Sequence, residues 1–196
     1  MNKSFLETIK AVDGEIFHLS FHQKRLESVL RSLGAREFPS LLQLLNPPKK
    51  GLYRCRVLYT SDSIEVSYHL YVQREIHTLK LIYDDSIVYD KKYTNRDKLN
   101  ALFALKDGAD DILIVKNRLV TDSSIANIAF YDGKKWVTPQ TPLLEGVTRE
   151  RLLQERRIFK QNIYVGDLPR FTKVALLNAM IDFDIIALDN KKGLYC

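Results

Sequence analysis

The sequence predicts a mixed α/β fold built in two halves. Three observations carry that expectation. Apolar residues alternate over short runs divided by tight-turn residues, amphipathic stretches with capping signals fall between those runs, and the polar segment Asp84–Lys92 parts the chain near its middle. At 196 residues, with 45% hydrophobic and 28% charged residues, the chain has room for one large or two small domains. The reading places an N-terminal domain at 1–85, a linker at 86–91 and a C-terminal domain at 92–196.

Taken in order, Phe5 to Val12 and Glu15 to Leu19 read as a hairpin around Asp13-Gly14, because that dipeptide accepts the positive φ angles of a tight turn. A helix follows, with Ser20 and Gln23 as a capping box, Leu26, Val29, Leu30 and Leu33 on one face, and Gly34 as its stop. Asn46-Pro47-Pro48-Lys49-Lys50-Gly51 breaks the chain before a second hairpin, Leu52 to Tyr59 and Ile64 to Tyr71. Leu79 to Tyr83 reads as a strand. Thr94 and Asp97 are spaced to cap a helix carrying Leu99, Leu102 and Phe103, which ends near Gly108. The run Asp111 to Val115 suits a strand buried on both faces. Leu119 to Asp122, a hairpin of Ile128 to Tyr131 with Trp136-Val137, and a helix with Leu152, Leu153 and Ile158 come next. Two core strands, Val174 to Leu177 and Ile185 to Leu188, close the chain.

Thirty basic and twenty-four acidic residues give a net charge of +6, scattered in pairs such as Lys49-Lys50, Lys134-Lys135 and Lys191-Lys192. No aromatic-interleaved basic motif singles out nucleic acid, so phosphorylated or carboxylate small molecules are the expected partners. Cys55 and Cys196 make neither a disulfide framework nor a metal-ligand spacing with the four histidines. No metal site and no membrane partner are expected, since no apolar run has signal-peptide or membrane-span length, and the chain reads as cytoplasmic.

Four places carry candidate chemistry. Lys91 and Lys92 precede a helix and are either a solvated pair or a cleft lysine with its neighbour. Arg25 is either an exposed helix charge or an anion ligand near a helix start. Gly146-Val147-Thr148 opens a helix, where Thr148 caps it or the free N–H groups cradle a phosphate. Arg54 and Arg56, on a strand, suit a substrate carboxylate or a solvated face.

Several motifs in order resemble those of the class IV pyridoxal-phosphate enzymes, the group of branched-chain aminotransferases, D-amino acid aminotransferases and aminodeoxychorismate lyases. Leu6-Glu7-Thr8-Ile9 is similar to its Phe-Glu-Thr strand, and His22 to Leu26 to its His-x-x-Arg-Leu helix. Lys92-Tyr93-Thr94-Asn95-Arg96 resembles the Lys-x-x-Asn-Arg run that begins with the cofactor-bearing lysine. Thr121-Asp122-Ser123-Ser124-Ile125-Ala126-Asn127-Ile128 resembles Thr-Glu-x-Ser-x-x-Asn-Ile. Thr138-Pro139 and Gly146-Val147-Thr148-Arg149 match two further elements, and Asn178-Ala179-Met180 is similar to a loop of the lyase branch.

The resemblance implies a two-domain D-amino acid aminotransferase-like fold with pyridoxal 5'-phosphate at the domain junction, Lys92 as the catalytic lysine, and a homodimer acting on a small-molecule amine. It implies cofactor contacts at Arg25, Lys92, Asp122, Asn127, Gly146, Val147, Thr148 and Asn178, with Arg25 and the Gly146 turn on the phosphate and Asp122 at the pyridine nitrogen. The expected activity is aminodeoxychorismate lyase, with class IV transamination or cofactor binding without turnover as alternatives. Two departures stand out. Only five residues precede Leu6, where the family leads one to expect about thirty, so the chain reads as N-terminally shortened; and Asp122 stands in place of the usual glutamate.

Overall fold

The computed structural model describes residues 3–187 and 194–195. The expected strand end at Leu188, the Lys191-Lys192 pair and Cys196 lie outside them. Contacts divide the chain into two units, one running through Gln73 and taking up Lys91–Asn95, the other comprising Arg74–Asp90 and the chain from Arg96 onward. This differs from a boundary near residue 85, for two local reasons given below.

In the first unit, β1 (Phe5–Val12) and β2 (Glu15–Ile16) meet at a turn in which Asp13 and Gly14 both take positive φ, 51° and 87°. The helix α1 (Leu19–Ser32) follows, then the short α2 (Leu41–Leu44), which the sequence pattern did not announce, then β3 (Leu52–Tyr59) and β4 (Ile64–Leu70). The four strands form an antiparallel sheet in the order β2-β1-β3-β4. Alternation sends Phe5, Ile9, Ala11, Cys55, Val57 and Tyr59 to one face, where Leu26, Val29 and Leu30 of α1 cover them. Residues 91–95 belong here because Leu6 N–H donates to the Lys92 carbonyl at 2.8 Å, Thr94 N–H donates to the Ser4 carbonyl at 3.0 Å, and Phe5 bridges Tyr93.

The second unit starts with β5 (Leu79–Tyr83), which pairs in parallel with β6 (Asp111–Lys116), and that pairing draws residues 74–90 away from the first unit. Between them lies α3 (Asp97–Ala104). Five residues of β6 are buried in succession, as expected for a strand covered on both faces. The order then runs through β7 (Leu119–Ser123), β8 (Asn127–Tyr131) and β9 (Trp136–Pro139), followed in sequence by α4 (Val147–Gln154), β10 (Phe159–Gln161), β11 (Lys173–Asn178), β12 (Asp182–Ala187) and β13 (Leu194–Tyr195). The nine-stranded sheet reads β10-β9-β8-β7-β6-β5-β13, with β11 also on β8 and β12 on β11. Leu113, Val115, Ile128, Phe130, Val174 and Leu176 sit at the centre of its core.

Both expected capping boxes are corrected. Ser20 lies inside α1, whose N-cap is His18 in a left-handed conformation, and Gln23 instead donates to Glu27 and Pro39 and accepts from Leu41 N–H. Thr94 lies ahead of α3, whose N-cap is Arg96, because its hydroxyl is engaged with Ser4. In each case a longer-range partner outcompetes the local bond. Ile158 is buried but lies beyond the end of α4.

Leu26 is fully buried whereas Leu33, expected on the same face, is 39% exposed. Leu26→Ala should therefore cost about 2–5 kcal/mol in urea unfolding, and Leu33→Ala less than about 1 kcal/mol.

Candidate active site

Period-two alternation puts Glu7 on the core face of β1, between Phe5 and Ile9, with no exposure at all. A carboxylate there needs donors, and α1 supplies them one turn apart. Arg25 forks onto it, Nε to Oε1 and Nη2 to Oε2, both at 2.7 Å, and His22 Nδ1 meets Oε2 at 2.7 Å. Burial pushes the Glu7 carboxyl up, but Arg25 and His22 outweigh it and bring it down to about 2. An ionised Glu7 only accepts, so His22 carries its proton on Nδ1 and leaves Nε2 as a lone pair. That Nε2 is buried and without a hydrogen-bond partner. Burial lowers the His22 pKa, Glu7 opposes this, and the charges of Arg25 and Lys92 lower it further.

The two lysines part company here. Lys91 Nζ donates to the Ser32 hydroxyl at 2.9 Å, at the far end of α1. Lys92 is held through its backbone beside Leu6, and its charge reaches His22.

Arg54 and Arg56 do not join this cluster. They pair across from Lys10 and Thr8, on the opposite face of the sheet from Glu7, whose own neighbour is Val57.

In the second unit, β7 carries an extra residue against β6, since Leu113 pairs with Ser123 and Val115 with Val120. The bulge breaks alternation, so Val120, Thr121, Asp122 and Ser123 are all buried. Asp122 Oδ1 accepts from Asn127 Nδ2 at 2.8 Å and Oδ2 from Leu144 N–H at 3.0 Å. Burial pushes its carboxyl up to about 6, against the pull of Asn127, the Leu144 N–H, the Arg149 charge and the Leu143 N–H. Two donors on two oxygens require a group that accepts at both, which a carboxylate does and an amide does not.

Asn127 also donates to the Leu144 carbonyl at 2.7 Å, and its Oδ1 occupies the space a side chain at Gly146 would take. Gly146 is the N-cap of α4, so the first-turn N–H groups, beginning with Val147 and the buried Thr148, lack acceptors within the helix. Arg149 is 1% exposed and is held by the Pro139 carbonyl at 2.8 Å and the Thr138 hydroxyl at 3.3 Å. Asn178 spends its Oδ1 on the N–H groups of Met180 and Ile181, and its Nδ2 reaches the Ile125 carbonyl in the β7–β8 turn at 3.4 Å.

The structure thus gathers Arg25 and Lys92 around Glu7 and His22, and gathers Asp122, Asn127 and the Gly146 turn in the other unit. Glu7, His22 and Arg149 carried no role in the sequence reading. The signal for Glu7 was available: a charged residue on the inward parity of an alternating strand.

Comparison with known proteins comes down on one family. The pattern of amino-transferase class IV matches residues 4–186. An uncharacterized protein of Haemophilus influenzae is 38% identical over 180 residues, 89% of this chain and 96% of that one. A protein of Schizosaccharomyces pombe provisionally named aminodeoxychorismate lyase is 27% identical over 184 residues, 83% of this chain and 78% of that one. The crystal structure of a provisionally named 4-amino-4-deoxychorismate lyase from Haemophilus somnus 129pt superimposes with a TM-score of 0.85 at 32% identity, covering 92% of this chain and 97% of that one.

Two outcomes follow from the geometry. A Cβ at position 146 would lie 2.0 Å from Asn127 Oδ1, and Asn127 is pinned by Asp122 and Leu144, so Gly146→Ala should destabilise by about 1–3 kcal/mol in thermal unfolding. Glu7 has its folded pKa below the ordinary 4.5, so the stability it contributes is present above that value and lost as pH falls toward about 2. Wild type should lose about 3 kcal/mol across that window, while Glu7→Gln, already weakened at neutral pH, should show a flatter acid profile in urea titrations.

Proposed function

We infer that this chain, which belongs to the class IV amino-transferase family of pyridoxal-phosphate-dependent enzymes, is a lyase that converts 4-amino-4-deoxychorismate to 4-aminobenzoate and pyruvate. The observation that carries the lyase reading is the match to the Haemophilus somnus structure, which runs almost end to end on both chains at 32% identity. The residues fit the cofactor on their own chemistry. Arg25 is a fixed guanidinium, Gly146 keeps the start of α4 bare of a side chain, and Asp122 is held as an acceptor at both oxygens.

In this reading Arg25 and the first-turn N–H groups of Gly146-Val147-Thr148 hold the phosphate, Asp122 faces the pyridine nitrogen, and Lys92 provides the amine. Pyridoxal phosphate, once bound, supplies an electron sink for the carbon beside the substrate nitrogen. Asp122 keeps that sink charged, because a cation against a buried carboxylate lowers the carboxyl pKa and favours the ionised pair. Asn127 and Leu144 aim the carboxylate. Lys92 would take the proton from the carbon beside the substrate nitrogen and return a proton to the departing enolpyruvyl group, which ends as pyruvate while the ring becomes aromatic. The step needs one base and one leaving group, whereas a transaminase must bind two substrates in turn. The same proposal includes a homodimer in the cytoplasm, supported by the family likeness; among the described residues no helix is long and apolar enough to cross a membrane.

Borohydride reduction of cofactor-loaded protein should leave a pyridoxyl group on Lys92, and peptide mapping that finds it on Lys91 would sink the assignment. Aminodeoxychorismate should yield pyruvate and 4-aminobenzoate in equal amounts without a keto acid. Conversion of the cofactor to its amine form by an amino acid, with no pyruvate above the Lys92→Ala background, would make the protein a transaminase. Inertness in both assays would make it a binding protein.

A further inference from the structure

His22 and Arg25 donate to the same oxygen, Glu7 Oε2, each at 2.7 Å, so the guanidinium and the imidazole meet at one atom and the charge of an anion held by Arg25 is felt at the imidazole. With Glu7 ionised and His22 neutral, the trio carries no net charge. A phosphate-bearing ligand at Arg25, whose side chain is 14% exposed, would change that by bringing one or two negative charges near a buried imidazole. His22 has the means to answer, since its Nδ1–H is spent on Glu7 while Nε2 is buried, 1% exposed as a residue, and unpartnered.

We propose that His22 is the proton-accepting member of the anion site: when a phosphate group docks at Arg25, the Nε2 lone pair takes a proton from solvent, and the resulting imidazolium balances the incoming charge. An Nε2–H bond forms as an O–H bond of solvent hydronium breaks and releases water, and the Nδ1–H hydrogen bond to Glu7 is kept. This rests on the reading of Arg25 as the phosphate ligand. The groups facing His22 are Glu7 from β1, Arg25 from its own helix and Lys92 from the 91–95 segment, while Tyr59 of β3 senses Glu7 and Arg25. Burial first, and then the charges of Arg25 and Lys92, keep the imidazole neutral while no anion is present, and an anion offsets those two charges. Proton uptake on binding makes affinity fall as pH rises.

The probe is sodium sulfate, which does not itself titrate in the working range, added to the full chain without pyridoxal phosphate and followed by calorimetry. Binding that Arg25→Gln removes should tighten severalfold as pH falls from about 8 toward about 5, the direction expected when anion binding raises the His22 pKa. His22→Asn, whose amide can still donate to Glu7, should bind sulfate with no such dependence. An Arg25-dependent affinity that is flat in wild type, or equally sloped in His22→Asn, overturns the inference and leaves the phosphate reading standing. Sulfate binding unchanged in Arg25→Gln overturns that reading, and the inference with it. Should His22→Asn fail to fold, nitrogen NMR of wild type decides: sulfate must shift the titration of His22 Nε2 to higher pH, and a titration that stays put refutes the proposal.

Discussion

A carboxylate on the inward face of a strand must be met by donors, and the first unit is arranged around that necessity. Glu7 sits in a row with Phe5 and Ile9, so its charge has no water to turn to. A buried ion pair of this kind adds little net stability, because desolvation consumes most of what the attraction returns. What it fixes is geometry. The fork from Arg25 sets the plane of the guanidinium, and the bond from His22 sets the tautomer, so one side chain decides the chemistry that two others present.

The second unit solves the same problem with the opposite result. Asp122 is as deeply placed as Glu7, yet its close partners are an amide and a backbone N–H, with Arg149 acting only at a distance. Neutral donors compensate less of the burial penalty than a guanidinium does, and so one carboxyl is drawn far down while the other is left near 6. Asp122 consequently retains an unmet demand for a cation, which Glu7 has already satisfied. That asymmetry separates a carboxylate that orders its surroundings from one that would still gain from a cation beside it.

Much of the framework was legible from spacing. The Asp13-Gly14 hairpin and the doubly buried run of β6 follow from rules that act over a few residues. The capping boxes at Ser20 and Thr94 were misread because Gln23 and Thr94 are claimed by groups far away in sequence, Leu41 and Ser4, which no local pattern reveals. The bulge that buries Thr121 and Asp122 together is likewise a matter of pairing between strands. The candidate site residues rest on motif, whereas the position of Arg54 and Arg56 away from the Glu7 cluster required the register of β1 against β3.

The chain passes between the two units three times, at residues 73–74, 90–91 and 95–96, and the middle excursion brings Lys91–Asn95 back to the first sheet. During synthesis the N-terminal strands therefore emerge long before the segment that completes their unit, and the stretch from Arg74 to Asp90 must be made in between. Until Lys92 and Thr94 leave the ribosome, the backbone groups of Ser4 and Leu6 that they engage have only water for partners. No single cut yields a first unit that keeps its lysine. Maturation of the small sheet and arrival of Lys92 are thus one event, so a nascent chain that halts before Lys92 would hold a sheet whose first strand lacks its last partner.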